Sequence, residues 1–238
     1  MKKLNLIGAA IGLVLLLATN AKAQETAATP APLSAEAQIK ADAEVDKKAT
    51  EWVAALTLTD EAKAKRVQAV VATHMKAVRD WNNSHNADMV PAGIDPYTGK
   101  TLSNMDRQII VNSAIPRSVH ENLMTGLRKD LTEEQVEFIL DKYTIGKVAF
   151  TLNGYRSVVP DLTPAEEAVI LANLKLAREQ AVDFKNIKQI SAIFEIYKTK
   201  NEQYLNEHGR NWHQLYGDYT KMIKAKKAAD EAAKKAKQ

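Results

Sequence analysis

Two helix starts of one design bracket the stretch that most limits what this chain can fold into. Leu131-Thr132-Glu133-Glu134-Gln135 and Leu162-Thr163-Pro164-Ala165-Glu166 each place a threonine three residues ahead of a Gln or Glu. That spacing makes a capping box, in which the hydroxyl and the longer side chain each accept from the other residue's backbone N–H. Pro164 suits the first helical position, where a missing N–H costs nothing. Between the two starts runs Lys147-Val148-Ala149-Phe150-Thr151-Leu152-Asn153-Gly154-Tyr155-Arg156-Ser157-Val158-Val159. Asn-Gly tolerates the positive φ of a type I′ turn, so the stretch reads as a β-hairpin at about residues 147–159. In that register Leu152 faces Tyr155, Phe150 faces Ser157 and Val148 faces Val159. A lone ribbon is marginal in water, so its apolar face is expected to lie on helices.

The remainder reads as helix. From Ser34, Val45, Ala49, Trp52, Val53 and Leu56 recur at helical spacing. Thr59 is expected to cap a second helix running to about His85, with Val67, Val71, His74, Val78 and Trp81 on one face. Residues 82–103 form a long irregular connection, and connections of that length are often functional. Short helices follow at residues 106–112 and 117–128, the latter carrying His120, Leu123, Met124 and Leu127. The helix over residues 186–207 is apolar around much of its circumference and is expected to be central, packed on several sides. Gly209 fits a helix end and Asn211 the next start. The expected fold is mainly α: a multi-helix single domain over residues 35–220 with one inserted β-hairpin.

The ends of the chain differ from its body. Lys2 and Lys3, an apolar run over residues 4–18, and Ala21-Lys22-Ala23 read as a signal peptide cleaved after Ala23. The run falls short of the ~20 residues of a membrane span, so no stable insertion is expected after cleavage. No cysteine occurs anywhere. Lipid anchoring at a cysteine, disulfides and thiolate chemistry are therefore excluded, and the protein is expected to be periplasmic or extracellular. Residues 24–34 read as a flexible spacer. Without Lys2, Lys3 and Lys22, the 33 Lys and Arg become 30 against 29 acids. Seven lysines and two acids fall in residues 221–238, a Lys/Ala-rich tail expected to be a frayed helix end. The basic charge thus belongs to the tail, which argues against a nucleic-acid partner.

Several polar residues fall on apolar stripes. His74 and His120 lie at the centre of theirs, and Asn201 lies in line with Ile187, Phe194 and Tyr197. Satisfied burial of His74, His120 and Asn201 is the simpler expectation, since buried polar atoms find partners. The sharper alternative gathers His74, His120, Glu195 and Asn201 into one pocket, with His120 and Glu195 as a catalytic acid–base pair. No two of them have a ligand spacing such as His-x-x-x-His, so neither a metal nor another cofactor is expected. A different pattern appears at the turns, where aromatics stand beside polar residues. Tyr155, Arg156, Arg210, Asn211 and Trp212 are the candidate ligand-binding residues, because sugar rings stack on aromatic faces while polar side chains fix their hydroxyls.

Four segments carry a resemblance to a known family. They are Ile115-Pro116-Arg117-Ser118-Val119-His120-Glu121, Tyr143-Thr144-Ile145-Gly146-Lys147-Val148, Val159-Pro160-Asp161-Leu162-Thr163, and Ile190-Ser191-Ala192-Ile193-Phe194-Glu195-Ile196-Tyr197-Lys198-Thr199-Lys200, closed by Gly209-Arg210-Asn211-Trp212. Together they resemble an exported bacterial family known as domain of unknown function 3826, from about Ala43 to Tyr219. The resemblance implies sugar binding in the company of polysaccharide-degrading enzymes, and brings no catalytic residues with it. A weaker likeness joins Leu131-Thr132-Glu133-Glu134-Gln135 to the Leu-Thr-x-x-Gln element of small helical periplasmic chaperones. The leading expectation is an exported, non-catalytic, carbohydrate-binding accessory protein of polysaccharide utilisation. The alternatives are a glycan-acting enzyme using Glu195 and His120, and a helical chaperone.

Overall fold

The computed structural model describes residues 34–96 and 99–235. The expected signal peptide, most of the expected spacer and the last three residues of the tail lie outside the described residues. The described chain is mainly α. Its helices are α1 (Ala35–Ala54), α2 (Glu61–Ser84), α3 (Asn104–Asn112), α4 (Arg117–Asp130), α5 (Glu133–Thr144), α6 (Lys147–Val158), α7 (Pro164–Ala181), α8 (Ile187–Glu207) and α9 (Trp212–Lys235), with a 3-10 turn at Ala87–Met89. Among the described residues, none of these helices is long and apolar enough to cross a membrane.

The caps explain most helix starts. Thr132 with Gln135 and Thr163 with Glu166 form the two expected capping boxes, and Ser103 with Asp106 forms a third. Ser34 caps α1 and Asn186 caps α8 through their side-chain oxygens. At α2 the cap is Asp60 rather than Thr59: its carboxylate accepts from Lys63 N at 3.0 Å.

The β-hairpin expected at residues 147–159 is not present: these residues form α6, with Asn153 and Gly154 inside it. Among the described residues, the one β pairing is an isolated bridge between Ile94 and Thr101. The reason lies in a shared periodicity. Val148, Leu152, Tyr155 and Val159 meet across a hairpin, but they also recur at helical spacing, and all are buried. Ile145 and Gly146, with φ of 49° and 69°, turn the chain from α5 directly into α6. A mid-helix glycine costs about 1 kcal/mol. Four buried apolar side chains contribute about 1.5–3 kcal/mol each, which outweighs it. Phe150, assigned to the apolar face of the hairpin, is instead 77% exposed.

Two apolar cores result. One gathers α1, α2, α4 and α5 around Ala49, Val67, Val71, Leu123, Leu127 and Ile139. The other gathers α6, α7 and α8 around Leu152, Ile170, Leu174, Ile193, Phe194 and Leu205. Helix α8 is one-sided rather than central: it packs mainly on α7, and Ile187 and Ile196 stay exposed. In the first core α2 and α4 approach closely at Gly126, where an added Cβ would lie 2.7 Å from a Val70 methyl. The end of α7 is the seam. Ala181 and Phe184 belong to the second core and Val182 to the first, so Asp183 stands between them.

Candidate functional site

The second capping box does more than start α7. Glu166 accepts from Thr163 N at 2.8 Å and also takes two bonds from Arg210, at 2.8 and 2.9 Å. Arg210 reaches Asp161 as well, with both carboxylate oxygens at 2.8 Å. The Arg210 guanidinium, helped by the Thr163 N–H, pulls the Glu166 carboxyl down to about 2. This clamp fixes the turn between α8 and α9 against the start of α7. Gly209, at φ 87°, lets that turn form. The Trp212 N–H then donates to Asn206 Oδ1 at 2.9 Å, and Asn211 caps α9 by accepting from Gln214 N at 3.0 Å.

So placed, Trp212 closes one end of a cleft of about 460 Å³ between α6, α8 and α9. Its ring lies 5.2 Å from that of Tyr155 and 5.9 Å from that of Tyr216, centroid to centroid. Phe150 and Tyr219 add further rings, and Tyr216 is 54% exposed. The polar groups around them are Asn153, Ser157, Glu195, Lys198 and Lys147. Lys198 Nζ holds both oxygens of Glu195, at 3.0 and 2.9 Å. Tyr155 forms the buried back wall, and its hydroxyl donates to the Lys198 carbonyl at 3.2 Å. Burial, reinforced by the nearby Glu202 carboxylate, pushes the Tyr155 phenol up, so it remains a donor. Burial likewise raises Glu202. Exposed ring faces beside hydrogen-bonding side chains are chemically suited to a ligand with both apolar and hydroxylated faces.

Of the five candidate ligand-binding residues, Tyr155 and Trp212 line this cleft, while Arg156, Arg210 and Asn211 do not. Arg156 pairs with Glu167 and holds the Asn153 amide oxygen at 3.1 Å, orienting a side chain on the rim. Phe150, Tyr216 and Tyr219 were not among the candidates. A helical reading of residues 147–158 is the signal that would have placed Phe150.

The polar cluster divides. Glu195 lines the aromatic cleft, whereas His120 lines a groove formed by α4, α7 and α8, so the two are not brought into one cavity. Asn201 is fully buried and accepts from Asn173 Nδ2 at 2.7 Å. His74 and His120 do meet, through a residue not singled out in the sequence. Asp183 Oδ1 lies 2.9 Å from His74 Nε2, and Asp183 Oδ2 lies 2.9 Å from His120 Nδ1. His74 Nδ1 is 3.1 Å from the Tyr143 hydroxyl. Burial opposes charge on Asp183, but the two histidine hydrogen bonds win and hold its carboxyl below the usual value. The hydrogen bond to Asp183 raises His120 above an ordinary imidazole, and Glu179 adds to the effect. The available signal was a lone acid in the apolar run Ala181-Val182-Asp183-Phe184. Among the described residues, no group of three or more His, Cys, Asp or Glu is placed to hold a metal ion.

No curated protein matches the chain. One family model does, over residues 42–225, which takes in the helices that line the cleft and the His120 groove, α9 as far as residue 225. On that match the chain belongs to the protein family of unknown function DUF3826.

Proposed function

We propose that this protein binds carbohydrate in the aromatic cleft between α6, α8 and α9, as an exported accessory protein of polysaccharide utilisation. The observation that carries the reading is the set of rings sharing one cleft, Phe150, Trp212, Tyr216 and Tyr219, with Trp212 and Tyr216 stacked 5.9 Å apart, bordered by Asn153, Glu195 and Lys198. A pyranose presents apolar C–H faces that stack on such rings, while its hydroxyls accept from lysine and amide N–H groups and donate to carboxylates. Export is part of the proposal and rests on the basic, apolar and small-residue segments of residues 1–23.

The test is retention of the chain lacking residues 1–23 on a panel of plant and bacterial polysaccharides. Retention by at least one glycan is expected, with Trp212→Ala weakening it by about tenfold or more, equivalent to about 1.4 kcal/mol. Retention by none, or retention unchanged in Trp212→Ala and Tyr216→Ala alike, would contradict the reading.

A further inference from the structure

We propose that the His120–Asp183 pair is a general-base centre that cleaves uronate-containing glycans by β-elimination, in the groove between α4, α7 and α8. This inference does not rest on the aromatic cleft, which is a separate cavity.

Three features of the groove lead to that chemistry. First, Asp183 engages His120 at Nδ1, while Nε2 stands on the groove 3.7 Å from Glu179 Oε1, too far for a hydrogen bond but near enough to favour the imidazolium that proton abstraction creates. Asp183 is itself held by His74, and His74 by Tyr143, a half-buried phenol. The imidazole therefore has a fixed tautomer and a fixed ring plane, the arrangement a proton-abstracting base requires. Second, the groove, of about 530 Å³, has room for a sugar unit. Third, two further residues on its walls have complementary chemistry. Arg117 lies one helical turn before His120 on the same face of α4. Its side chain is 89% exposed and pairs with Glu121, a surface i,i+4 ion pair that an incoming carboxylate can displace at little cost. Tyr197 stands on the α8 wall of the groove. A base, a cation to bind a carboxylate and a phenol acid are the three groups an elimination at a uronate needs.

The step balances without a redox partner. His120 Nε2 takes the proton on C5, the carbon bearing the carboxylate, while Arg117 offsets the charge that builds on that carboxylate. The C5–H electron pair becomes the second bond between C4 and C5. The C4–O4 bond breaks, and O4 leaves with its electrons and takes the Tyr197 hydroxyl proton. Imidazolium and phenolate then reset by proton exchange with water.

The groups facing His120 set the pH dependence. They are Asp183 and Glu179 from α7 and the end of it, Arg117 and Glu121 from α4, Tyr197 from α8, and His74 and Tyr143 behind Asp183. The nearest are carboxylates that favour the imidazolium, so His120 becomes a free base only above the usual imidazole range.

The experiment incubates the purified protein with polygalacturonate, alginate and a neutral glucan, and follows absorbance of the conjugated C4–C5 alkene. A uronate polymer is expected to yield the chromophore, with a rate that rises through mildly alkaline pH, and the glucan to yield none. His120→Gln should lower the rate by about 10²-fold or more. Arg117→Ala should raise KM with less effect on kcat. Asp183→Asn, checked for folding by its melting curve, should move the rising limb to lower pH as the imidazole loses its anion. A residue that only stabilised the fold would not shift the limb. No chromophore from either uronate polymer, new reducing ends without the alkene, or full activity in His120→Gln would each overturn the proposal.

Discussion

Glu166 has three roles at once: it closes the capping box of α7, neutralises Arg210 and ties down the turn that presents Trp212. Its carboxyl sits at about 2, well below its ordinary 4.5. A depressed carboxyl contributes stability that is present above its unfolded value and is lost as pH falls through its folded value. The clamp should therefore hold at neutral pH and weaken progressively from about pH 4.5 down to about 2. Glu166→Gln should cost about 1.5–3 kcal/mol at pH 7, the range for hydrogen bonds to a charged group. The parent and the variant should converge toward pH 2. Urea denaturation across that pH range checks this; an equal gap at every pH would remove the clamp from the account. His120 has the opposite sign. Its raised value contributes stability that is present below pH 6.5 and is lost as pH rises through the folded value.

At the scale of elements, two glycines test the helix assignments. Gly126→Ala gains up to about 1 kcal/mol of helix propensity but drives a methyl into Val70 at the α2–α4 crossing. Overpacking of this kind costs about 1–3 kcal/mol, so net destabilisation is expected, measured as a lower urea midpoint. Gly154→Ala meets nothing within 4 Å, so it should stabilise α6 by up to about 1 kcal/mol. In a hairpin the same change would destabilise, because alanine resists the positive φ of a type I′ turn. The caps at Thr132, Thr163 and Asn211 were legible in the sequence because a cap is a local event, complete within four residues. The α6 segment was misread because its apolar positions fit periods of both two and 3.6, and only contact with α7 decides between them. His74 and His120 were visible as polar residues on apolar stripes. Asp183, which joins them, is 109 residues from His74 and 63 from His120, and no local pattern encodes that meeting. Arg210 stood out as an arginine at a turn, but its partner Glu166 lies 44 residues back.

In the whole molecule, α7 links the two cores. Arg178, buried on α7, reaches Asp141 of α5 at 2.8 Å, and Asp183 receives a histidine from each of α2 and α4. The aromatic cleft lies over the second core and the His120 groove opens at the seam, so one framework holds both cavities at different faces of α8. Beyond the cleft α9 continues to Lys235 with no buried residue, carrying the lysines that account for the basic charge of the chain. If ligand contact belongs to the proposed cleft rather than to that tail, affinity for a neutral glycan should change little with added salt. The measurement that bears most directly on this is the affinity of Tyr216→Ala for a retained glycan, beside that of the parent. Tyr216 is exposed and packs on Trp212 at the rim, so its removal leaves the core intact. An affinity reduced about tenfold with an unchanged melting temperature is the predicted result. Equal affinity in the two proteins would contradict binding in the cleft.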